Sequence, residues 1–259
     1  MLDRSGLDRA GVVAVGLKTY LGYSQTLEWL TAAGEISRRW TDRLEVVVLP
    51  VAPALPAAVA AGREYGFAVG AQDVSDRPAG AFTGELPASL LAELGVRFAE
   101  IGHAERRALF GETPELTMRK AVASVQQGLT PLLCVGEGRL GQRDQVPALD
   151  AAEQVAGQLD EMLAALPTEA PVLVAYEPVW AIGADRPAPV EHVRTVAHRL
   201  RVRLGAHPRA RLIYGGTAGP GLFAQVGDCL DGLFLGRRAH DPAALGAVLA
   251  EVAAGVSAG

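Results

Sequence analysis

The sequence predicts an α/β fold of the (β/α)8 type, in which eight parallel strands alternate with helices and close into one barrel. Eight short, mostly apolar runs recur along the chain, and segments with helical periodicity separate them. The runs do not alternate between apolar and polar residues, as is typical of strands buried on both faces of a parallel sheet. The length of 259 residues is typical of one such barrel, so we expect residues 1–259 to form a single domain.

The order of the elements favours a closed barrel over an open doubly wound sheet, because strands that strictly alternate with helices pair in parallel through right-handed crossovers. The predicted strands are Val12–Val15, Leu44–Leu49, Phe67–Ala71, Phe98–Ile101, Pro131–Val135, Val172–Tyr176, Arg211–Tyr214 and Gly232–Leu235. The predicted helices are Thr26–Arg39, Pro56–Tyr65, Pro87–Leu94, Leu116–Gln127, Ala148–Leu166, Pro189–Leu204, Leu222–Val226 and Pro242–Val252. Residues that commonly begin helices stand near four of these starts, at Ser24, Thr113, Pro189 and Asp241.

Composition and charge exclude several classes of protein. Hydrophobic residues make up 49% of the chain and the formal net charge is −5, with no cluster of Lys and Arg. A nucleic-acid partner is therefore not expected, since that binding depends on neutralising phosphates. No apolar run is long enough to span a membrane, and residues 1–6 lack the order of a signal peptide. Cys134 and Cys229 belong to no metal-ligand spacing, so we expect reduced thiols, no metal site and a cytoplasmic location.

Polar side chains follow several predicted strands at their carboxyl ends, where barrels of this type place their active sites. Lys18 follows the first strand, His103 the fourth and Glu177 the sixth, while glycine turns begin at Gly215 and Gly236 after the seventh and eighth. Turns after the last two strands commonly bind phosphate through backbone N–H groups. The expected ligand is a small phosphorylated molecule.

Each of these residues also has a purely structural interpretation. A lone Lys is commonly solvated, a lone His is commonly a hydrogen-bonded structural residue, Glu177 could form a salt bridge, and a Gly pair could be a simple turn. The joint placement of a base, an imidazole, a cation and two glycine turns at one barrel mouth favours the catalytic interpretation. The segment 216–221 is not a dinucleotide fingerprint, since it contains Pro220 and lies late in the barrel, and no phosphate-loop motif of the Walker type occurs.

Two segments closely resemble those of triosephosphate isomerases. Residues 175–183 resemble the catalytic-glutamate and lid segment of that family, and residues 101–107 its catalytic-histidine segment, with Ala104 where the family usually has Ser. Further matches follow in order along nearly the whole chain, at residues 70–73, 80–85, 134–137 and 214–217. The resemblance implies an intramolecular oxidoreductase that moves a proton between adjacent carbons of an aldose or ketose phosphate, with no metal or organic cofactor.

The resemblance also implies roles for single residues. Glu177 is expected to remove a proton from the carbon beside the carbonyl, His103 to polarise that carbonyl as a neutral imidazole, and Lys18 to offset the developing charge. Triosephosphate isomerase is itself the standard example of this pairing and of lid closure. Residues 181–186 are expected to form the lid. The expected phosphate contacts are Gly183, Thr217, Gly236 and Arg237, and the expected supporting residues are Tyr214 and Thr217 for the closed lid, Glu105 for orientation, and Arg106 as a buttress or a structural ion pair.

Three departures from the family pattern concern the walls of the pocket. The family has Asn two residues before its catalytic Lys and Trp between them, whereas this chain has Gly16 and Leu17. The turn after strand eight normally carries two glycines, but here Arg237 and Arg238 follow Gly236. The far end of the lid reads Ala184-Asp185-Arg186-Pro187-Ala188, and Pro187 is expected to stiffen that hinge.

Three functions remain open on this evidence. Dihydroxyacetone phosphate and glyceraldehyde 3-phosphate are the default substrates. An alternative is a four-carbon ketose phosphate such as L-erythrulose 1-phosphate, since Gly16 leaves room for another hydroxymethylene and Arg237 could reposition the phosphate. A function of another class is a non-catalytic barrel that binds phosphosugars. The third-loop motifs at residues 70–73 and 80–85 suggest a homodimer, because in the family this loop forms much of the dimer contact.

Overall fold

The computed structural model describes residues 10–256, and their fold is the predicted (β/α)8 barrel. The strands are β1 (Gly11–Gly16), β2 (Leu44–Leu49), β3 (Ala68–Ala71), β4 (Phe98–Ile101), β5 (Thr130–Val135), β6 (Val172–Tyr176), β7 (Ala210–Tyr214) and β8 (Gly232–Leu235). Each strand pairs in parallel with the next, and β8 pairs with β1 to close the barrel. The predicted fold class is therefore confirmed.

Helices connect the strands on the outside of the barrel. They are α1 (Tyr23–Ser37), α2 (Leu55–Tyr65), α3 (Ala88–Leu94), α4 (Ala104–Leu109), α5 (Pro114–Gln126), α6 (Ala148–Leu163), α7 (Val190–Leu204), α8 (Phe223–Val226) and α9 (Pro242–Gly255). The predicted strands and helices are all present, with ends that differ by no more than three residues. In α1 the capping residue is Gly22, whose N–H donates to the Gln25 side chain, so the start expected from Ser24 lies two residues too late.

Helix α4 is present in addition to the eight predicted helices. Its first turn is capped by His103, whose ring accepts a hydrogen bond from the backbone N–H of Glu105. The basic side chains of Arg106 and Arg107 lie in its last turn, where they complement the helix dipole. A helix of six residues is too short to show apolar periodicity in the sequence.

Two layers of apolar residues form the core. Alternate strand residues point into the barrel, as do Ala14, Phe98, Cys134 and Phe234, and form one buried cluster. The remaining strand residues point outward and pack against the helices in a larger cluster. Because the strands are buried on both faces, polar side chains at the carboxyl ends of the strands are confined to one mouth of the barrel.

Candidate active site

A cavity of about 860 Å³ opens at the carboxyl ends of the strands. Nine of the residues predicted for the site line it: Lys18, His103, Glu105, Arg106, Glu177, Gly183, Thr217, Gly236 and Arg237. Tyr214 is fully buried and lies outside the cavity wall. The structure thus brings together residues from loops that are far apart in sequence.

Glu177 follows β6 and is held with one free carboxylate oxygen. Its backbone N–H donates to the carbonyl of Val135, which fixes the residue beside β5. The side chain is buried, and its Oε2 has no hydrogen-bond partner among the described residues. A Cβ atom on Gly215 would lie 2.7 Å from Glu177 Oε1, so glycine at this position makes room for the carboxylate. An unpaired carboxylate oxygen facing a cavity can act as a general base.

His103 faces Glu177 across the cavity, with its Nε2 atom 3.7 Å from Glu177 Oε2. The other ring nitrogen, Nδ1, accepts a hydrogen bond of 3.2 Å from the backbone N–H of Glu105. A nitrogen that accepts a hydrogen bond does not carry the proton, so the neutral ring holds its proton on Nε2. The imidazole is therefore oriented to donate a hydrogen bond to a ligand oxygen in the cavity.

Lys18 supplies a cation at the same mouth. Its Nζ lies 2.6 Å from Glu105 Oε1, and its backbone carbonyl accepts a hydrogen bond from the Gln72 side chain. Lys18 and Thr217 are the two non-glycine residues with positive φ among those that the structure describes, at 50° and 51°. Such conformations cost energy and persist where the surrounding contacts enforce them, commonly at functional sites.

The lid segment, residues 181–186, is tied to the barrel at both ends. Thr217 Oγ1 donates to the carbonyl of Ala181 at 2.6 Å, and the Tyr214 hydroxyl accepts from the N–H of Ala188 at 3.0 Å. Between them, Arg238 donates to the carbonyl of Asp185 at 3.1 Å. Tyr214 and Thr217 thus lie where they can hold the lid over the cavity.

A buried polar cluster beneath the first hinge of the lid was missed by the sequence analysis. Glu137 Oε1 accepts a hydrogen bond from Trp180 Nε1 at 2.7 Å and contacts His192 Nε2 at 3.0 Å. The Tyr176 hydroxyl contacts the same oxygen and the same imidazole. Burial, followed by the charge of Glu137, raises the pKa of Tyr176 well above its usual range, so its hydroxyl remains a donor. The signal available in the sequence was an acidic residue, Glu137, shortly after the apolar run of β5.

Arg106 belongs to a second cluster of charged side chains, which reaches from the cavity wall into the interior. It lies 2.8 Å from Asp73 Oδ2 and 2.5 Å from Glu112 Oε1, and Lys120 contacts the same two carboxylates. Its guanidinium also lies over the ring of Phe110. Of the two roles expected for Arg106, a buttress or a structural ion pair, these contacts fit the structural ion pair.

The part of the cavity where we expect phosphate to bind lies between the lid and the turn after β8. Gly236 begins a short 3-10 turn, and Arg237 lies in it with its guanidinium 5.7 Å from the ring centroid of Tyr20. A Cβ atom on Gly183 would lie 3.4 Å from Arg237 Nη2. Arg237 therefore stands over the cavity mouth close to the lid, rather than turned outward.

Two further residues that sequence reasoning missed lie on the cavity floor, Glu100 and Phe234. A Cβ atom on Gly16 would lie 3.2 Å from the Phe234 ring, so that ring borders the space that we expected Gly16 to leave open. Glu100 is buried and lies two residues after Phe98 on β4, so both side chains point into the barrel. Burial raises the pKa of Glu100 to about 7. A charged residue type inside a buried strand was the signal that could have identified Glu100.

The buried Glu100 predicts a pH-dependent stability. The folded protein holds this proton more tightly than an unfolded chain, in which the ordinary pKa is 4.5. This contribution to the unfolding free energy is fully present below pH 4.5 and is lost as the pH rises to about 7. The difference between the two pKa values corresponds to about 3 kcal/mol of unfolding free energy. Because Gln cannot lose a proton, we expect Glu100→Gln to gain about that much relative to the wild type between pH 4.5 and pH 8.

Urea unfolding at a series of pH values measures this gain. Glu161→Gln is the matched control, because Glu161 is exposed on α6. A constant difference between Glu100→Gln and the wild type across the pH range would contradict the assignment of a raised pKa to Glu100.

No helix within residues 10–256 is long and apolar enough to cross a membrane. The same part of the chain contains no group of three or more His, Cys, Asp or Glu residues placed to hold a metal ion.

Comparison with known proteins assigns the family. The triosephosphate isomerase family model matches residues 11–252. The chain is 43% identical over 247 residues to an L-erythrulose-1-phosphate isomerase of Pectobacterium atrosepticum, covering 92% of this chain and 94% of that protein. It is 41% identical over 214 residues to a triosephosphate isomerase of Alkalilimnicola ehrlichii, covering 77% and 82%, and 39% identical over 189 residues to one of Thermus thermophilus, covering 70% and 74%. The resemblance inferred from the motifs is confirmed: the chain belongs to the triosephosphate isomerase family of phosphosugar isomerases.

Proposed function

We propose that the protein isomerises a small phosphosugar by moving a proton between adjacent carbons, with Glu177 as the base and His103 as the electrophile. One observation carries this proposal. The unpaired Oε2 of Glu177 and the Nε2 of His103 face each other at 3.7 Å in the cavity, so a planar substrate beside them would offer a C–H to one and a carbonyl oxygen to the other.

The proposed reaction needs no electron donor or acceptor outside the substrate. Glu177 takes the proton from the carbon beside the carbonyl, and the electron pair of that C–H bond forms the C=C bond of an enediolate. His103 donates its Nε2 proton to the carbonyl oxygen, while Lys18 stabilises the developing negative charge. The imidazolate left by this transfer then takes the proton of the neighbouring hydroxyl and becomes neutral imidazole again, and Glu177 returns its proton to the other carbon. The product is the isomer with its carbonyl moved by one carbon.

We infer that the substrate is a four-carbon ketose phosphate, with the triose phosphates as the second candidate. The relative named as an L-erythrulose-1-phosphate isomerase aligns over 92% of this chain, whereas the two triosephosphate isomerases align over 77% and 70%. Gly16 also leaves this chain without the side-chain amide that the family places beside its triose substrate. With L-erythrulose 1-phosphate, the same proton shift converts one ketose phosphate into another. With a triose, it converts a ketose into an aldose, the step shared by glycolysis and gluconeogenesis.

Isomerisation of L-erythrulose 1-phosphate and dihydroxyacetone phosphate, measured side by side as kcat/KM, tests this proposal. A preference of about a hundredfold for the tetrulose, near 2.7 kcal/mol, supports the four-carbon substrate. Equal or better turnover of the triose supports the second candidate. Tight binding of an enediolate mimic without any proton exchange would instead support a non-catalytic binding barrel and overturn the enzyme.

Arg237 is expected to bind the substrate phosphate together with the N–H groups of Gly183 and Gly236 and with Thr217. Arg237→Ala should raise KM by about tenfold and change kcat little, because it removes a charge-assisted hydrogen bond to a group that does not react. The KM of Arg237→Lys should lie between those of the wild type and Arg237→Ala, since an ammonium keeps the charge but lacks the planar fork of a guanidinium.

Steady-state kinetics at low and high salt measure this effect. Arg203→Ala is the control, because Arg203 pairs with Asp160 on the outer helices, away from the cavity. An unchanged KM in Arg237→Ala would contradict the phosphate role of Arg237.

We also propose that the protein is a homodimer built on the loop between β3 and α3. Phe82 lies exposed in this loop, and other exposed apolar side chains are Tyr20 after β1 and Leu109 and Phe110 at the end of α4. Light scattering at micromolar concentration should give about 54 kDa, twice the 27.0 kDa of one chain. Phe82→Asp should shift the mass toward one chain. A wild-type mass of one chain would contradict the dimer.

We further propose that residues 1–259 form one domain and that the protein works in the cytoplasm. The closed barrel with a continuous core spans the described residues, which supports one domain. Cys134 and Cys229 are both free and buried, which suits a reducing compartment.

A further inference from the structure

Glu100 is an ionisable side chain on the cavity floor that the proposed mechanism does not use. It lies inside the barrel and is 6% exposed. Its Oε1 accepts a hydrogen bond from the thiol of Cys134, with Sγ at 3.8 Å. No salt bridge is formed by this carboxyl within residues 10–256. A buried carboxyl without a cation costs folding stability, and such groups on the wall of a cavity are commonly functional.

The position of β4 in the barrel indicates which end of a bound substrate lies near Glu100. In the closed order of strands, β4 stands opposite β8, whose turn holds Gly236 and Arg237 at the phosphate end. A substrate anchored there extends across the mouth toward His103 and β4. The part farthest from the phosphate therefore approaches the floor near Glu100.

The surroundings of Glu100 suit a hydroxyl group better than a cation or an anion. His103, Glu177, Lys18 and Cys134 are the charged or titratable groups that act on it. Burial, reinforced by the charge of Glu177, outweighs the opposite effects of His103 and Lys18 and raises the pKa of the carboxyl to about 7, so it is largely protonated at lower pH. A protonated carboxyl both donates and accepts a hydrogen bond, as a hydroxyl partner requires.

The neighbouring floor is apolar. Phe234 lies against Gly16, where a side-chain amide is absent, and both line the cavity together with Glu100. Glu100 is thus the polar side chain that shares the floor with Gly16 and Phe234. In a four-carbon ketose phosphate, the reacting carbon carries a hydroxymethyl group that a triose lacks.

We propose that Glu100 is a specificity-determining residue that hydrogen-bonds the terminal hydroxymethyl group of a four-carbon ketose phosphate. This inference rests on the proposed isomerase function. A triose ends at the reacting carbon and offers Glu100 no hydroxyl partner beyond the Cys134 thiol, and a site built to hydrogen-bond a substrate hydroxyl discriminates against a ligand that lacks it.

The test compares Glu100→Leu and Glu100→Gln with the wild type on L-erythrulose 1-phosphate and on dihydroxyacetone phosphate. Glu100→Leu should lower kcat/KM for the tetrulose by about a hundredfold and change kcat/KM for the triose by less than about threefold. Glu100→Gln keeps a donor and an acceptor, and should retain tetrulose activity within about tenfold of the wild type.

Phe98→Leu is the matched control, because Phe98 lies one inward position deeper on β4 and does not line the cavity. It should leave the ratio of the two kcat/KM values unchanged. If Glu100→Leu fails to fold, Glu100→Ala takes its place with the same expected loss of tetrulose activity, because alanine also lacks a hydrogen-bonding side chain. An unchanged ratio in the variant that lacks a hydrogen-bonding side chain at position 100, or a wild type that prefers the triose, overturns the role of Glu100 alone. A wild type that converts neither sugar overturns the proposed isomerase function instead.

Discussion

Glu177→Gln is expected to lower kcat by a factor of about 10²–10⁴ on whichever phosphosugar the wild type converts. The amide keeps the size of the side chain but cannot accept the substrate proton. KM should change little, because Gln fills the space beside Gly215 that the carboxylate occupies. A coupled assay measures kcat, and incorporation of deuterium from D₂O into the substrate reports proton removal directly.

Glu177→Asp separates the chemistry of the carboxylate from its position. It retains a base but withdraws it by one methylene, and a displacement of about 1 Å can cost about a hundredfold in rate. Glu161→Gln on the exposed face of α6 should leave both readouts unchanged. If Glu177→Gln keeps more than a tenth of the wild-type kcat together with normal deuterium exchange, another group is the base.

The barrel could be predicted from sequence because its signals are local. Each strand is a short apolar run, and the helices between them are long enough to show their period, as α6 does with Val155, Ala156, Leu159 and Met162 buried on one side. The mouth of the barrel follows from the same pattern, since residues after the carboxyl ends of strands must meet there. Lys18, His103 and Glu177 could therefore be assigned to one site without a structure.

The cavity floor and the supporting contacts could not be predicted. They bring together side chains from strands that are distant in sequence, and which side chains meet depends on the direction in which each one points. Gly16 suggested an empty space, but the Phe234 ring from β8 lies against it. Glu100 sits in a run that reads as an ordinary strand, and its inward direction depends on the register of β4. Pairings of this kind depend on three-dimensional packing rather than on any local pattern.

The cluster of Asp73, Arg106, Glu112 and Lys120 is expected to contribute strongly to stability. Lys120 Nζ lies 2.5 Å from both Asp73 Oδ1 and Glu112 Oε1, and it is 5% exposed. Removing one partner of a buried ion pair typically costs about 3–5 kcal/mol, because it leaves a charge uncompensated in the interior. Arg106 still reaches both carboxylates, so we expect Lys120→Met to lower the unfolding free energy by about 3 kcal/mol, measured by urea denaturation near pH 7.

Two comparisons distinguish a buried charge from lost packing in Lys120→Met. Arg199→Met breaks an exposed ion pair with Glu153 and should cost less than about 1 kcal/mol. Adding Glu112→Gln to Lys120→Met should recover part of the loss of unfolding free energy, since it removes the carboxylate left behind.

The pKa of Glu112 predicts how this loss depends on pH. Although burial opposes it, hydrogen bonding by Lys120 and Arg106 holds the pKa of Glu112 below its usual value of 4.5. The stability that this pKa shift provides is present above pH 4.5 and is lost as the pH falls through the lowered pKa, so the deficit of Lys120→Met should narrow in acid. A deficit that is unaffected by acid and by Glu112→Gln would mean that Lys120 stabilises the fold through its aliphatic stem alone.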